Sequence, residues 1–510
     1  MTAPQSNTTK PVPKFGLFEF LVGGIFCVGF PGFLASRWPY VYELSLSTRP
    51  FMIQTAMKLR VLVLIAAWLL GSFATAAEPG WKGGVAKAVI TPKQPMWMAG
   101  YGGRTEPAKG ALHELYVRVL ALEDAAGHRG IVLSSDTLGI SKPIYDEVSR
   151  RVKEQFGLER SQLMLHASHT HCGPVLKSAL YDIYPLDEAQ IKLIEDYSDW
   201  LTTEIVATIG RALKDLRPVT VSRGVGSADF GVNRRTNREP DVPLLREQNL
   251  LLGPVDHTVP TLAVRSLDGK LIAVAFAYAC HNTTLSFQQW CGDYAGFAQY
   301  DLEQNHPGAV ALFCMGCGAD QNPLPRRTVE LAETYGKRLS AAVDAVLLQP
   351  QDRVAPTLRT THEFVQLAMQ GLPKTEELKR LAAAAPNYSQ RWAARILKLI
   401  ETKADIPQQY PYPITTWKLG GDQLWIALGG EVVVDYSLRL KAEHGEQAWV
   451  TAYANDVMAY IPSQRVLLEG GYEGQSSMMV YGLPTDRWAD DVEERIAASV
   501  GRLVEQVRKK

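Results

Sequence analysis

The chain has 510 residues, 53 of them basic and 53 acidic, so its formal net charge at pH 7 is zero. That balance leaves no excess of positive charge to neutralise a phosphate backbone, which argues against a nucleic-acid partner. With 46% hydrophobic residues the chain can bury a large core, and its length alone allows about two or three domains.

Residues 57–77, MKLRVLVLIAAWLLGSFATAA, carry the three parts of a secretory signal. Lys58 and Arg60 come first, an apolar stretch runs from Val61 to Leu70, and Ala74-Thr75-Ala76 supplies a cleavage site. Such signals stand at an N-terminus. The expectation is therefore that 1–56 is a mis-assigned upstream extension, that translation starts at Met57, and that 78–510 is exported to the periplasm or the medium. The alternative is an N-terminal membrane anchor using apolar segments near 16–34 and 61–77, both short for a span. Beyond Ala77 stand Cys172, Cys280, Cys291, Cys314 and Cys317, an odd number that does not describe a disulfide scaffold. They read as small core thiols, with one disulfide allowed by an oxidising compartment.

From Trp81 onward apolar strands alternate with amphipathic helices. Strands are expected at 84–90, 115–123, 130–135, 162–166, 218–225, 261–266, 271–279, 309–314, 354–362, 413–418, 423–428 and 448–453. Helices are expected at 141–156, 187–214, 328–348, 374–385, 390–403, 431–443 and 486–508. The longest shows a buried stripe at Ile194, Tyr197, Leu201, Ile205 and Ile209. Strands and helices mix without a clean βαβ repeat, which predicts one large mixed α/β domain. The stretch 235–260 reads as a long surface loop, and long loops are usually functional. Residues 366–412 read as a helical insertion.

The densest chemistry lies at 166–173, His-Ala-Ser-His-Thr-His-Cys-Gly. The apolar run Gln162–Leu165 delivers these imidazoles into a Gly173-Pro174 turn, and catalytic groups collect at such strand ends. Extended alternation would point His169 and His171 to one side, and neutral imidazole is the commonest zinc ligand. His281 follows the apolar run 271–279 in the same arrangement. Glu431, after Gly429-Gly430, either approaches a ligand or is an acidic charge at a helix N-terminus. Asn455–Tyr460 again follows a strand.

Together these stretches resemble the neutral, non-lysosomal ceramidase family, zinc amidases that hydrolyse the N-acyl bond of ceramide. The likeness runs through Gly84–Thr91, Gly100-Tyr101-Gly102, Leu112-His113, Ser135-Asp136, His169-Thr170-His171-Cys172-Gly173-Pro174, Asn233-Arg234, His281, Gly292–Gly296, Gly430-Glu431, Asn455–Tyr460 and Tyr472-Glu473. The resemblance implies zinc held by His169, His281, Glu431 and Tyr460. It implies that His171 handles protons beside the metal, that Tyr472 helps hold the carbonyl oxygen, and that Arg234 reaches polar groups of the substrate. The attacking group would be a metal-activated water. Asp136 and Asp293 are candidates for orienting the ligand imidazoles, the alternative for either being a loop or helix cap.

Two departures qualify the likeness. The family's serine falls on Asn322, a carboxamide that cannot form an acyl intermediate but can donate a hydrogen bond to substrate. The C-terminal immunoglobulin-like domain typical of the family is also not expected here, since the chain ends in a helix. The substrate is accordingly expected to be a lipid or small-molecule amide, with peripheral contact to membrane lipid compatible with it. The competing readings are a non-catalytic metal-containing binding protein on the same fold, and a metallo-esterase or phosphoesterase.

Overall fold

Apolar runs bounded by Gly, Pro and polar turns become the strands of this protein. The computed structural model describes residues 80–509; the secretory pattern at 57–77 and the stretch before it lie outside the described residues. In chain order the strands are β1 (Trp81–Val89), β2 (Tyr116–Glu123), β3 (Arg129–Ser135), β4 (Leu163–Ala167), β5 (Arg217–Ser227) and β6 (Gly231–Asn233). Then come β7 (Thr258–Ser266), β8 (Leu271–Tyr278), β9 (Val310–Met315), β10 (Gln321–Pro323), β11 (Asp352–Arg353) and β12 (Leu358–Ala368). The last are β13 (Gln409–Leu419), β14 (Gln423–Leu428), β15 (Glu431–Val432), β16 (Trp449–Thr451) and β17 (Tyr460–Ile461).

The principal sheet runs β4-β3-β2-β1-β5-β7-β8-β9, with β11 also on β5. Its two end pairs, β3–β4 and β8–β9, are parallel. These ends approach one another: Ser134 Oγ on β3 donates to the Phe313 carbonyl on β9 at 2.6 Å. Every residue of β8 is buried, which explains its unbroken apolar run, since a strand covered on both faces needs no alternation. A second sheet, β12-β13-β14-β16, packs beside it, and β6 pairs with β10 and β15 with β17.

The helix Glu188–Lys214 starts where Asp187 accepts a hydrogen bond from the Gln190 amide at 2.8 Å and ends with Arg211 and Lys214 near its C-terminus. Its five expected stripe residues are all buried. Each is worth about 1.5–3 kcal/mol, so packing against β1 and β2 fixes this helix more than intrinsic propensity does. The helices Asp293–Asn305 and Val329–Leu348 pack against each other, and Val492–Lys509 lies on β12 and β13.

Several boundaries differ from expectation. The helix expected from 431 begins at Val434, because 431–432 form β15, and the C-terminal helix begins at Val492 rather than 486. The helix Asp293–Asn305 was not expected. Tyr294, Ala295, Gly296 and Ala298 are all buried, so no apolar stripe stands out. Gly296 carries no side chain where a Cβ would meet the His113 ring at 2.8 Å. In the 366–412 stretch the helices are Thr375–Ala382 and Tyr388–Glu401, while its two ends belong to β12 and β13. The 235–260 loop contains a short helix, Val242–Glu247. The five cysteines are buried free thiols, so the allowed disulfide is not formed among the described residues. Among those residues no helix is long and apolar enough to cross a membrane.

Candidate metal centre

Strand β4 stops at Ala167, so His169 and His171 do not converge by strand alternation as the sequence suggested. His169 instead adopts φ +59, left-handed backbone that is uncommon outside glycine. Its Nδ1 donates to the Leu138 carbonyl at 2.7 Å. The kink brings His171 Nε2 to 3.2 Å from His169 Nε2. Room for the His171 ring comes from Gly100, at φ +105, where a Cβ would sit 2.3 Å from His171 Nδ1. Arg104 holds the loop from behind, donating to the His171 carbonyl at 2.8 Å.

His281 leaves the end of β8 and is pinned in the same manner. Its Nδ1 donates to the Gly318 carbonyl at 2.8 Å, and its own amide donates to Gln321 at 2.9 Å. Glu431 and Tyr460 are register partners across the parallel β15–β17 pair. That pairing needs Gly430, at φ +70, because a Cβ there would lie 2.8 Å from the Ala459 carbonyl. Glu431 Oε2 ends 3.1 Å from both His169 Nε2 and His281 Nε2. The Tyr460 hydroxyl lies 3.2 Å from His281 Nε2.

This geometry fits a cation. With each Nδ1 proton given to a main-chain carbonyl, His169 and His281 present Nε2 lone pairs to each other at 3.2 Å; the tautomers follow from the hydrogen-bond network. No proton lies between them, and a carboxylate oxygen faces both. His169, His171 and His281 offer nitrogen atoms within 4.8 Å of one another, all buried, as a group able to hold a metal ion. Burial, then the neighbouring imidazoles, lower His171 well below the ordinary histidine range, and burial followed by Arg234 lowers His281 to about 4. Both rings are therefore neutral at pH 7.

The remaining candidates line one cavity of about 690 Å³ with His171 and His281 at its floor. Arg234 Nε donates to Glu473 at 2.8 Å, its Nη2 to the Tyr460 hydroxyl at 3.2 Å, and its Nη1 to Asn322 Oδ1 at 3.3 Å. Tyr472 stands edge-on to Tyr460, ring centroids 5.1 Å apart, and is 41% exposed to the cavity mouth. His166 lies elsewhere: it is stacked on Trp425 and bonded to Thr451 at 3.0 Å, a buried core histidine.

Asp136 and Asp293 do not orient the imidazoles. Asp136 pairs with Arg118 at 2.9 Å and accepts the Tyr116 amide, while Asp293 accepts the amides of Leu285 and Tyr294. The orienting partners are the carbonyls of Leu138 and Gly318, which no side-chain pattern announces. Two tyrosines were also missed. Tyr481 donates to Glu431 Oε1 at 2.5 Å, and the Tyr453 hydroxyl lies 3.4 Å from Oε2. Tyr453 at φ +53 precedes Asn455 at φ +66, and that strained stretch is visible only in the backbone.

Comparison with known proteins places the fold among solved structures. Residues 81–313 match the family described as neutral/alkaline non-lysosomal ceramidase, N-terminal. The neutral ceramidase of Pseudomonas aeruginosa superposes with a TM-score of 0.64 at 19% identity, over 84% of this chain and 75% of that one. A structure described as ceramidase complexed with C2 superposes at 0.62, again at 19% identity and with the same coverage.

Proposed function

We propose that the protein, whose residues 81–313 match the neutral/alkaline non-lysosomal ceramidase family, is a zinc-dependent hydrolase of an amide, N-acyl bond. The observation that carries the proposal is the meeting of two proton-free imidazole nitrogens and a carboxylate oxygen, with His171 and Tyr460 alongside. Nitrogen and oxygen donors of this kind suit zinc, with His169, His281, Glu431 and Tyr460 as its ligands. When bound, the ion supplies Lewis acidity, polarising a carbonyl and making a water acidic near neutral pH.

The chain's own groups do the rest. His171, neutral and one ring from the ligands, accepts a proton from the attacking water at Nε2 and returns it to the leaving nitrogen. The Tyr472 hydroxyl donates to the carbonyl oxygen as negative charge gathers there. Arg234, clamped by Glu473, holds Tyr460 and Asn322 in place. Because Arg234 donates to Asn322 Oδ1, the Asn322 amide nitrogen remains available to donate to substrate. Asn322 offers no nucleophile, so water is the attacking group. The family supports a lipid or small N-acyl amide as substrate. The secretory pattern at 57–77 supports action outside the cytoplasm, and N-terminal sequencing of the native protein tests it.

The deciding experiment combines metal analysis with hydrolysis of a panel of N-acyl amides. The purified protein should hold zinc and cleave at least one amide; His281→Ala should lose most of the metal, and His171→Ala most of the turnover. Turnover untouched by a chelator, or unchanged metal content in His281→Ala, would refute the reading. Bound metal without amide or ester turnover would favour the binding-protein alternative, for which Asn322 is the motive.

A further inference from the structure

The cavity above the metal centre carries many charges. Leu324 is its one aliphatic lining residue, beside three tyrosines, and five arginines and three glutamates stand in its wall. Most of these charges are matched. Arg234 and Arg235 both engage Glu473, at 2.8 and 2.6 Å, and Arg326 pairs with Glu239 at 2.7 Å. Two cations are less fully matched. Arg238 has an 83% exposed side chain and reaches Asp241 only at 3.6 Å. Arg327 forms no ion pair among the described residues.

Arg327 is also held in an unusual way. Its φ is +97, a conformation that bulky side chains rarely adopt, and its amide is fixed to the Thr284 carbonyl at 2.7 Å. The side chain lies over the Tyr101 ring, 5.2 Å from its centroid, and donates to the Tyr101 hydroxyl at 3.1 Å. The same ring packs on His171, centroids 4.7 Å apart. A guanidinium without a carboxylate therefore sits one aromatic ring from the proton-handling histidine. Strained backbone that aims a side chain into a cleft is characteristic of ligand clamps, and guanidinium is the group best suited to a planar or tetrahedral oxyanion.

We propose that Arg327, with Arg238 at the outer rim, binds an oxyanion on the substrate, so that the preferred substrate is an N-acyl amide carrying a carboxylate or phosphate rather than a neutral lipid amide. This rests on the hydrolase reading for the cavity's use, but the anion seat is testable by binding alone. Three ligands differ only in the head group: N-hexanoylglycine, N-hexanoyl-O-phosphoethanolamine and the neutral N-hexanoylethanolamine. Calorimetric titration of the full chain should show at least one anion bound about tenfold tighter than the neutral ligand, or ~1.4 kcal/mol. Raised salt should shrink that preference.

Arg327→Gln should abolish most of the preference, and Arg327→Lys, which keeps the charge and loses the fork, should retain part of it. Equal affinity of the wild-type protein for all three ligands overturns the proposal whether or not the variants fold. A preference undiminished in Arg327→Gln overturns it too. Anion preference without turnover of any amide would leave the seat standing and remove the hydrolase reading; hydrolysis of neutral amides with no anion preference would do the reverse.

Discussion

Replacing Gly100 with alanine tests whether His171 works from its observed position. The added Cβ would lie 2.3 Å from Nδ1 and 2.5 Å from Cγ of His171, against an ordinary contact of 3.4 Å or more. Backbone at φ +105 cannot easily swing the methyl away, so the ring must retreat by about 1 Å, a misplacement that can cost ~100-fold in rate. Left-handed backbone costs a non-glycine residue about 1–2 kcal/mol, and overpacking a filled interior about 1–3 kcal/mol. Gly100→Ala should therefore lose about 2–5 kcal/mol of stability while folding and retaining its metal. The assays are kcat and KM on the best amide of the panel, metal content, and a urea melt. The expected result is a kcat near one hundredth of wild type with KM little changed. Wild-type kcat would refute the steric argument. Loss of metal together with turnover would make His171 a ligand and refute its role as proton carrier.

Two further predictions concern groups outside the reaction. His166 is fully buried, and burial lowers its pKa from 6.5 to about 3. Below pH 6.5 the unfolded chain takes up a proton that the folded chain refuses, so stability falls as pH drops from 6.5 toward 3. At pH 5 the loss from this group is about 2 kcal/mol. His166→Gln, with urea melts at pH 7.5 and pH 5, should lose less stability across that interval than wild type; an identical slope would contradict the assignment. Asp136→Ala leaves Arg118 buried with Glu303 as its remaining partner, and should cost about 3–5 kcal/mol. Metal affinity of the folded protein should hold, because the ligand imidazoles bond to Leu138 and Gly318; a tenfold fall would restore Asp136 as an orienting group.

Much of this protein is decided locally. The unbroken run Leu271–Tyr278 can only be a strand buried on both faces, and Asp187 followed by the stripe from Ile194 to Ile209 can only be a capped, half-buried helix. Histidines just past two strands, with a glutamate after a glycine pair, pointed to a candidate metal site, and the order of landmarks along the whole chain carried the family resemblance. Tertiary structure decided what local pattern does not encode. Convergence of His169 and His171 came from a left-handed kink, not from strand alternation, and the imidazoles are oriented by main-chain carbonyls that every residue possesses. Glu431 proved to be a strand residue opposite Tyr460, a register set by Gly430 lying against Ala459. The charge of the cavity was equally hidden: a neutral chain does not reveal that Arg327 finishes without an ion pair among the described residues at the cavity wall. Sequence records which groups are present, whereas long-range packing fixes which of them are left without partners, and a site is made of the latter.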